Sequence, residues 1–217
     1  MKRFAALALP FCLLTACSMP DPLMDESNAQ QPKKTYSPEE VAAMYHRNPS
    51  PKRRYDITMK VENAPGPFES YGASAHYDAP DCVYTMDRFA GVHGRVFTHF
   101  KIDFKKIDAT TFVGTMYLDA MQDEDYFGKG VCKWEFSNVG VGVSAGEGDD
   151  YITNFGISMD REDVIAQKTI KRYYAKTDYP KSDIRNYSDS GLKDKTEFKP
   201  EYRDDVFSIT ITATEIK

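Results

Sequence analysis

Four histidines, His46, His76, His93 and His99, are the side chains best suited to proton transfer or metal ligation in this chain. His93 and His99 fall in one strand-like region but lie six residues apart rather than at i and i+2. With no His-Glu-x-x-His present, surface or packing roles are expected for all four. Carboxylates gather at Asp119 with Asp123-Glu124-Asp125, at Gly146-Glu147-Gly148-Asp149-Asp150, and from Asp160 to Asp163. A sharply turned, glycine-bearing loop can supply calcium with oxygen ligands, but the alternating Asp-x-Asp-x-Asp-Gly spacing is missing, so solvated hairpin tips are expected. Val139-Gly140-Val141-Gly142-Val143 is followed by no Gly-Lys-Ser/Thr and reads as a bulged or closely packed strand, not a phosphate loop. Gly142-Val143-Ser144-Ala145-Gly146 and Ser190-Gly191-Leu192-Lys193 match Gly-x-Ser-x-Gly and Ser-x-x-Lys as letter strings only, and neither serine-hydrolase nor penicillin-binding chemistry is expected from them. The expectation is a chain that is not an enzyme, with no catalytic residue, no bound metal and no cofactor.

The first sixteen residues have a different character. Lys2 and Arg3 precede an apolar run from Phe4 to Leu14, which ends in the small residues Thr15 and Ala16. This is the pattern of a secretory signal. The run is shorter than the roughly 20 helical residues that cross a bilayer, and Pro10 interrupts it. Leu14-Thr15-Ala16-Cys17 resembles the lipobox of bacterial lipoproteins. The resemblance implies that Cys17 carries a diacylglycerol, that residues 1–16 are removed, and that the new amino terminus is acylated. Two or three acyl chains, at about 0.8 kcal/mol per buried methylene, hold a protein to a bilayer almost permanently. Ser18, in place of an aspartate, implies delivery to the outer membrane with the domain facing the periplasm.

Processing of this kind leaves 201 of the 217 residues and moves the formal charge from −5 to −7 by removing Lys2 and Arg3. That is enough for one domain with a sizeable core. An acidic chain with no dense basic run is poorly matched to nucleic acid or to an anionic membrane surface. Cys12 would leave with the signal and Cys17 would carry lipid, so Cys82 and Cys132 remain to form a disulfide in an oxidising compartment.

The elements follow from periodicity. Pro20, Pro22 and Pro32 stand among polar residues, which predicts a disordered tether over 17–36 ahead of a single domain over 37–217. Ser37-Pro38-Glu39-Glu40 predicts a capped helix start, with the helix running to about Arg47. Alternation then predicts strands at Tyr55–Val61, Val96–Phe104, Phe112–Leu118, Cys132–Phe136, Tyr151–Met159 and Phe207–Ala213. Residues 164–175 fit helix or strand, and their β-branched and aromatic content favours strand. The fold expected is mainly β, an antiparallel sandwich or open barrel with one short N-terminal helix. Residues 176–205 form a connection longer than joining strands requires.

Function is then expected from a binding surface. Phe198-Lys199-Pro200-Glu201-Tyr202, Val206-Phe207-Ser208-Ile209-Thr210 and Gly130-Val131-Cys132-Lys133-Trp134 resemble strings in uncharacterised bacterial lipoproteins associated with immunity to antibacterial effectors. The resemblance implies a protein partner, a toxin among the candidates, and net charge favours a basic one. An envelope scaffold, or a small-ligand or carbohydrate-binding domain, is the alternative. Tyr179, Tyr187, Phe198 and Tyr202 are the expected partner contacts, because tyrosine brings contact area at low entropic cost.

Overall fold

The computed structural model describes residues 34–217; residues 1–33, and with them the signal, Cys17 and most of the expected tether, lie outside the described residues. The chain enters through helix α1 (Pro38–Met44), followed by β1 (Arg54–Glu62), β2 (Ser70–Asp87), β3 (Val92–Ile102), β4 (Lys105–Lys106) and β5 (Thr111–Tyr117). Next come β6 (Glu135–Ser144), β7 (Asn154–Asp160), α2 (Arg161–Ile165), β8 (Thr169–Ala175), β9 (Ser188–Asp189) and β10 (Val206–Ile216). Two five-stranded sheets result, ordered β4-β5-β1-β10-β8 and β3-β2-β6-β7-β9. Every pairing is antiparallel except β7 with β9.

The expected mainly β fold, with one short N-terminal helix, is the one observed. Tyr55, Ile57, Met59 and Val61 of β1 and Phe207, Ile209, Ile211 and Ala213 of β10 point inward, against Ala73, Ala75 and Tyr77 of β2, Val139, Val141 and Val143 of β6, and Phe155, Ile157 and Met159 of β7. Period-two alternation puts these residues on one face of each strand. Each large apolar side chain fully buried this way contributes about 1.5–3 kcal/mol.

A second, smaller cluster joins Val41 of α1 to Ala79, Tyr84, Val96, Tyr126 and Cys132 at one end of the sandwich. Ser37 caps α1 reciprocally: its hydroxyl accepts the Glu40 N–H at 3.2 Å, while the Glu40 carboxylate accepts the Ser37 N–H at 2.8 Å. The helix stops at Met44, not near Arg47. Tyr45 turns to extended geometry so that its ring meets the edges of Trp134 at 4.9 Å and Tyr126 at 5.5 Å.

Two further departures have physical causes. The 18-residue β2 is the longest strand, yet three of its six buried positions are alanines, and its other face carries Ser74, His76 and Asp78, so the hydrophobic alternation is faint. Residues 164–175 divide between the two expected states. Val164 and Ile165 close the short α2, Gln167 takes φ +51°, and only Thr169–Ala175 runs as strand.

The connection 176–205 is ordered against both sheets. Its β9 pairs with β7, while Leu192 and Tyr173 exchange both backbone hydrogen bonds at 2.9 Å, tying it to β8 of the other sheet. The connection therefore stitches the two sheets along one edge.

Candidate binding face

The outer face of the second sheet is nearly bare over three adjacent strands. Gly72 of β2, Gly142 of β6 and Gly156 of β7 stand side by side in register, and Ser74, Gly140 and Ser158 form the next row. With strands about 4.8 Å apart and side chains on one face about 6.8 Å apart, the two rows make a floor of roughly 10 by 7 Å. The floor belongs to a shallow trough of about 940 Å³, walled by Arg172 and by Ser190–Lys193 and Glu197 of the stitching connection.

Among the described residues no side chain crowds these glycines. Their φ angles lie outside the left-handed region, a Cβ at Gly72 or Gly140 would meet no atom within 4 Å, and at Gly142 and Gly156 it would touch only backbone oxygens at 3.7–3.9 Å. Glycine inside a strand costs about 0.5–1 kcal/mol relative to alanine and marks a bulge, a bend or the close approach of another molecule. The one bulge between β2 and β6 lies elsewhere, at His76/Tyr77. A bulge therefore does not account for these four positions.

The floor's hydrogen-bonding groups are committed to the ladder in the plane of the sheet, so it offers peptide faces and Cα–H groups to a flat or bulky apolar object. Its rim supplies the polar chemistry. Arg172 gives one N–H to the Lys171 carbonyl at 3.2 Å, and the Glu197 carboxylate accepts the Asp194 N–H at 2.7 Å. On the β3 side Lys101 stands opposite Ser74, and beyond it the rings of His76 and His99 stack at 5.5 Å. Burial, then the neighbouring His99, holds His76 below its ordinary range, with Asp78 pulling the other way; its Nε2 lies 2.8 Å from the Ser74 hydroxyl.

Of the four rings expected to contact a partner, three are half-buried and one is exposed. Tyr179 folds back onto the core edge, its hydroxyl donating to the Pro67 carbonyl at 2.6 Å and its ring 5.5 Å from Phe68. Tyr187 and Phe198 are half-buried, and Tyr202 is exposed. Among the described residues no two of these rings pack together, so they do not form one patch. Sequence reasoning met half of the glycine floor, at Gly140 and Gly142, without seeing its extent. The missed signal was Gly72-x-Ser74 and Gly156-x-Ser158 in two other alternating segments.

Cys82 and Cys132 form the expected disulfide, with Cα atoms 5.6 Å apart. The carboxylates of the Gly146–Asp150 tip face cations of the long connection: Asp149 takes Lys181 at 2.5 Å and Asp150 takes Arg185 at 2.5 Å. A separate cleft of about 580 Å³ runs along the seam between β3 and β5, with Tyr77, Phe100, Ile102 and Met116 in its lining and Arg54, Lys101 and Lys105 at its rim. There Arg47 stacks over the Phe100 ring at 3.7 Å. No helix among the described residues is long and apolar enough to cross a membrane. Comparison with family models, curated proteins and solved structures finds no match to this chain.

Proposed function

We propose that this chain is an outer-membrane lipoprotein, held through acylated Cys17, whose periplasmic domain is a non-catalytic protein-binding module that neutralises a toxic effector as an immunity protein does. The observation that supports binding most directly is the side-chain-free floor at Gly72, Gly140, Gly142 and Gly156. It costs strand stability, and no described side chain occupies the space a Cβ would take at any of the four. An apolar or aromatic knob of a partner would lie on this floor, flanked by polar groups that meet Arg172, Lys193 and Glu197. The mature charge of −7 would speed encounter with a basic partner, while the rim would decide what docks.

The test begins with the gene beside this one. Its product should bind the purified domain in calorimetry, and deleting the lipoprotein gene should sensitise cells to siblings that carry that product. Gly140→Val, which fills the floor, should weaken binding at least about tenfold, the equivalent of roughly 1.4 kcal/mol. Binding unchanged in both Gly140→Val and Gly72→Val would remove the floor from the account. Incorporation of labelled palmitate that depends on Cys17 checks the anchor separately.

The seam cleft favours a second reading, a small ligand with an anionic group and an apolar body. Saturable binding of such a molecule, abolished by Arg47→Ala and indifferent to Gly140→Val, would move the function there.

A further inference from the structure

The hairpin between β2 and β3 carries four exposed large apolar side chains. Phe89 at its apex is fully exposed, at 104% of its reference area, and Met86, Val92 and Val83 are 40–46% exposed. The apex is held in shape all the same. The Asp87 carboxylate accepts the N–H of Phe89 at 2.7 Å and of Ala90 at 2.9 Å, and Gly91 completes the turn at φ +66°. The root is clamped on two sides. Cys82 is bonded to Cys132, and the Tyr84 ring lies where a side chain on Gly94 would otherwise stand. A rigid loop that keeps a phenylalanine wholly in water is built to place it in something apolar.

The same root receives the incoming chain. The Tyr36 N–H donates to the Thr85 carbonyl at 3.0 Å, and its ring packs edge-on to Phe127, which in turn stacks on Tyr84. Cys17 lies nineteen peptide steps before Tyr36, at most about 65 Å even fully extended. The apolar apex therefore projects from the end of the domain where the chain enters at Tyr36. Cations accompany it: Arg88 adjoins Phe89, Lys129 follows Phe127 by two residues, and Lys34 lies over the Tyr36 ring at 4.7 Å. The neighbouring carboxylate, Asp87, is turned inward onto the turn's own N–H groups.

We infer that the β2–β3 hairpin is a membrane-contact loop: Phe89, with Met86 and Val92, inserts into the interfacial region of a phospholipid bilayer while Arg88, Lys34 and Lys129 meet the headgroup phosphates. The position of the bilayer rests on the reading of Cys17 as the lipid-bearing residue. Affinity for the lipid surface belongs to the loop itself. Net negative charge opposes adsorption to a strongly anionic surface, so the contact relies on apolar insertion with the three cations offsetting local repulsion. A weak contact suffices on a tethered domain, because a short tether supplies an effective concentration in the millimolar range.

The test uses the chain from Ser18 onward, free of lipid, carrying Phe89→Trp, with phosphatidylethanolamine and phosphatidylglycerol vesicles at up to about 10 mM lipid, within that range. Emission from the introduced tryptophan should shift to the blue and be quenched by brominated acyl chains. Wild-type emission, which comes from the half-buried Trp134, should not respond, and Phe89→Ser should cosediment less with the vesicles. Identical spectra with and without vesicles would overturn the inference. So would loss of protein-partner binding in Phe89→Ser with no vesicle response, which would make the apex a protein contact. The lipid-free chain contains no Cys17, so a negative palmitate result and a negative vesicle result are distinguishable.

Discussion

Gly140 and Gly142 bracket the fully inward Val141, and their consequence is local. Since no atom of the described residues beyond its chain neighbours lies within 4 Å of a Cβ at Gly140, Gly140→Val should raise unfolding free energy by about 0.5–1 kcal/mol in denaturant melts while lowering partner affinity. A substitution that stabilises and disables together is the signature of a position kept for binding. Cys82 and Cys132 act through the unfolded chain. A loop closed over 50 residues restricts the denatured ensemble, so replacing both by alanine should cost about 4 kcal/mol, read as a lower denaturation midpoint. His76 makes the fold sensitive to mild acid. Burial and then His99 depress its folded pKa below the ordinary 6.5. Below 6.5 the unfolded chain takes up a proton that the folded state resists, so stability is lost as pH falls through 6.5 toward the lowered value. The Tm should drop between pH 7 and pH 6, and His76→Gln should flatten that slope. Asp178 and Asp189, both raised chiefly by burial, act with the opposite sign and recover stability at lower pH.

Among the elements, the stitch between β7, β9 and β8 decides how firmly the sandwich is closed. Gly191 is the residue that lets the connection cross. Its φ is +66°, and a Cβ there would come within 2.7–2.8 Å of the Tyr174 ring and the Arg172 side chain. Tyr174, fully buried, lies beneath it and donates its hydroxyl to the Gly156 carbonyl at 2.7 Å, so one ring ties β8 to the floor of the trough. Tyr174→Phe should cost about 1 kcal/mol and Gly191→Ala more, through both strain and collision. Hydrogen exchange should then rise first at the Tyr173 and Leu192 amides, while β1 and β10 stay protected. Exchange that rises equally across both sheets would mean the stitch is not a separate closing element.

The domain as a unit divides its work between a core and two surfaces. Among the described residues both apolar clusters are built from Val41 onward, with Tyr36 packed against the smaller one, so the 34–217 fragment should keep the Tm of the mature chain; a clearly lower Tm would assign the preceding residues a structural role. The bare trough lies on the outer face of one sheet, and the apolar hairpin projects where the chain enters the domain. A domain resting on its hairpin would still leave a face of the sandwich for a partner.

Much of the core was legible along the chain. Tyr55 to Val61 and Phe207 to Ala213 alternate so strongly that their buried faces could be named from sequence, and Ser37 with Glu40 announced the helix start through side chains that reach their own backbone. The reach of such signals is a few residues, because alternation and capping are local. β2 escaped notice because alanine buries little area, and α1 ended early because distant rings of Trp134 and Tyr126 claim Tyr45. The four chosen aromatic contacts were selected by residue type alone, which cannot tell a ring folded onto Phe68 from one left in water. The candidate site is non-local in the same way. Gly72, Gly140 and Gly156 are far apart in sequence, and each is unremarkable alone. Short-range chemistry along the chain was enough to mark which faces are buried, where the helix begins and which cysteines remain to pair. The open floor needed the fold, because three strands must lie side by side in one register before their missing side chains add up to a single bare surface.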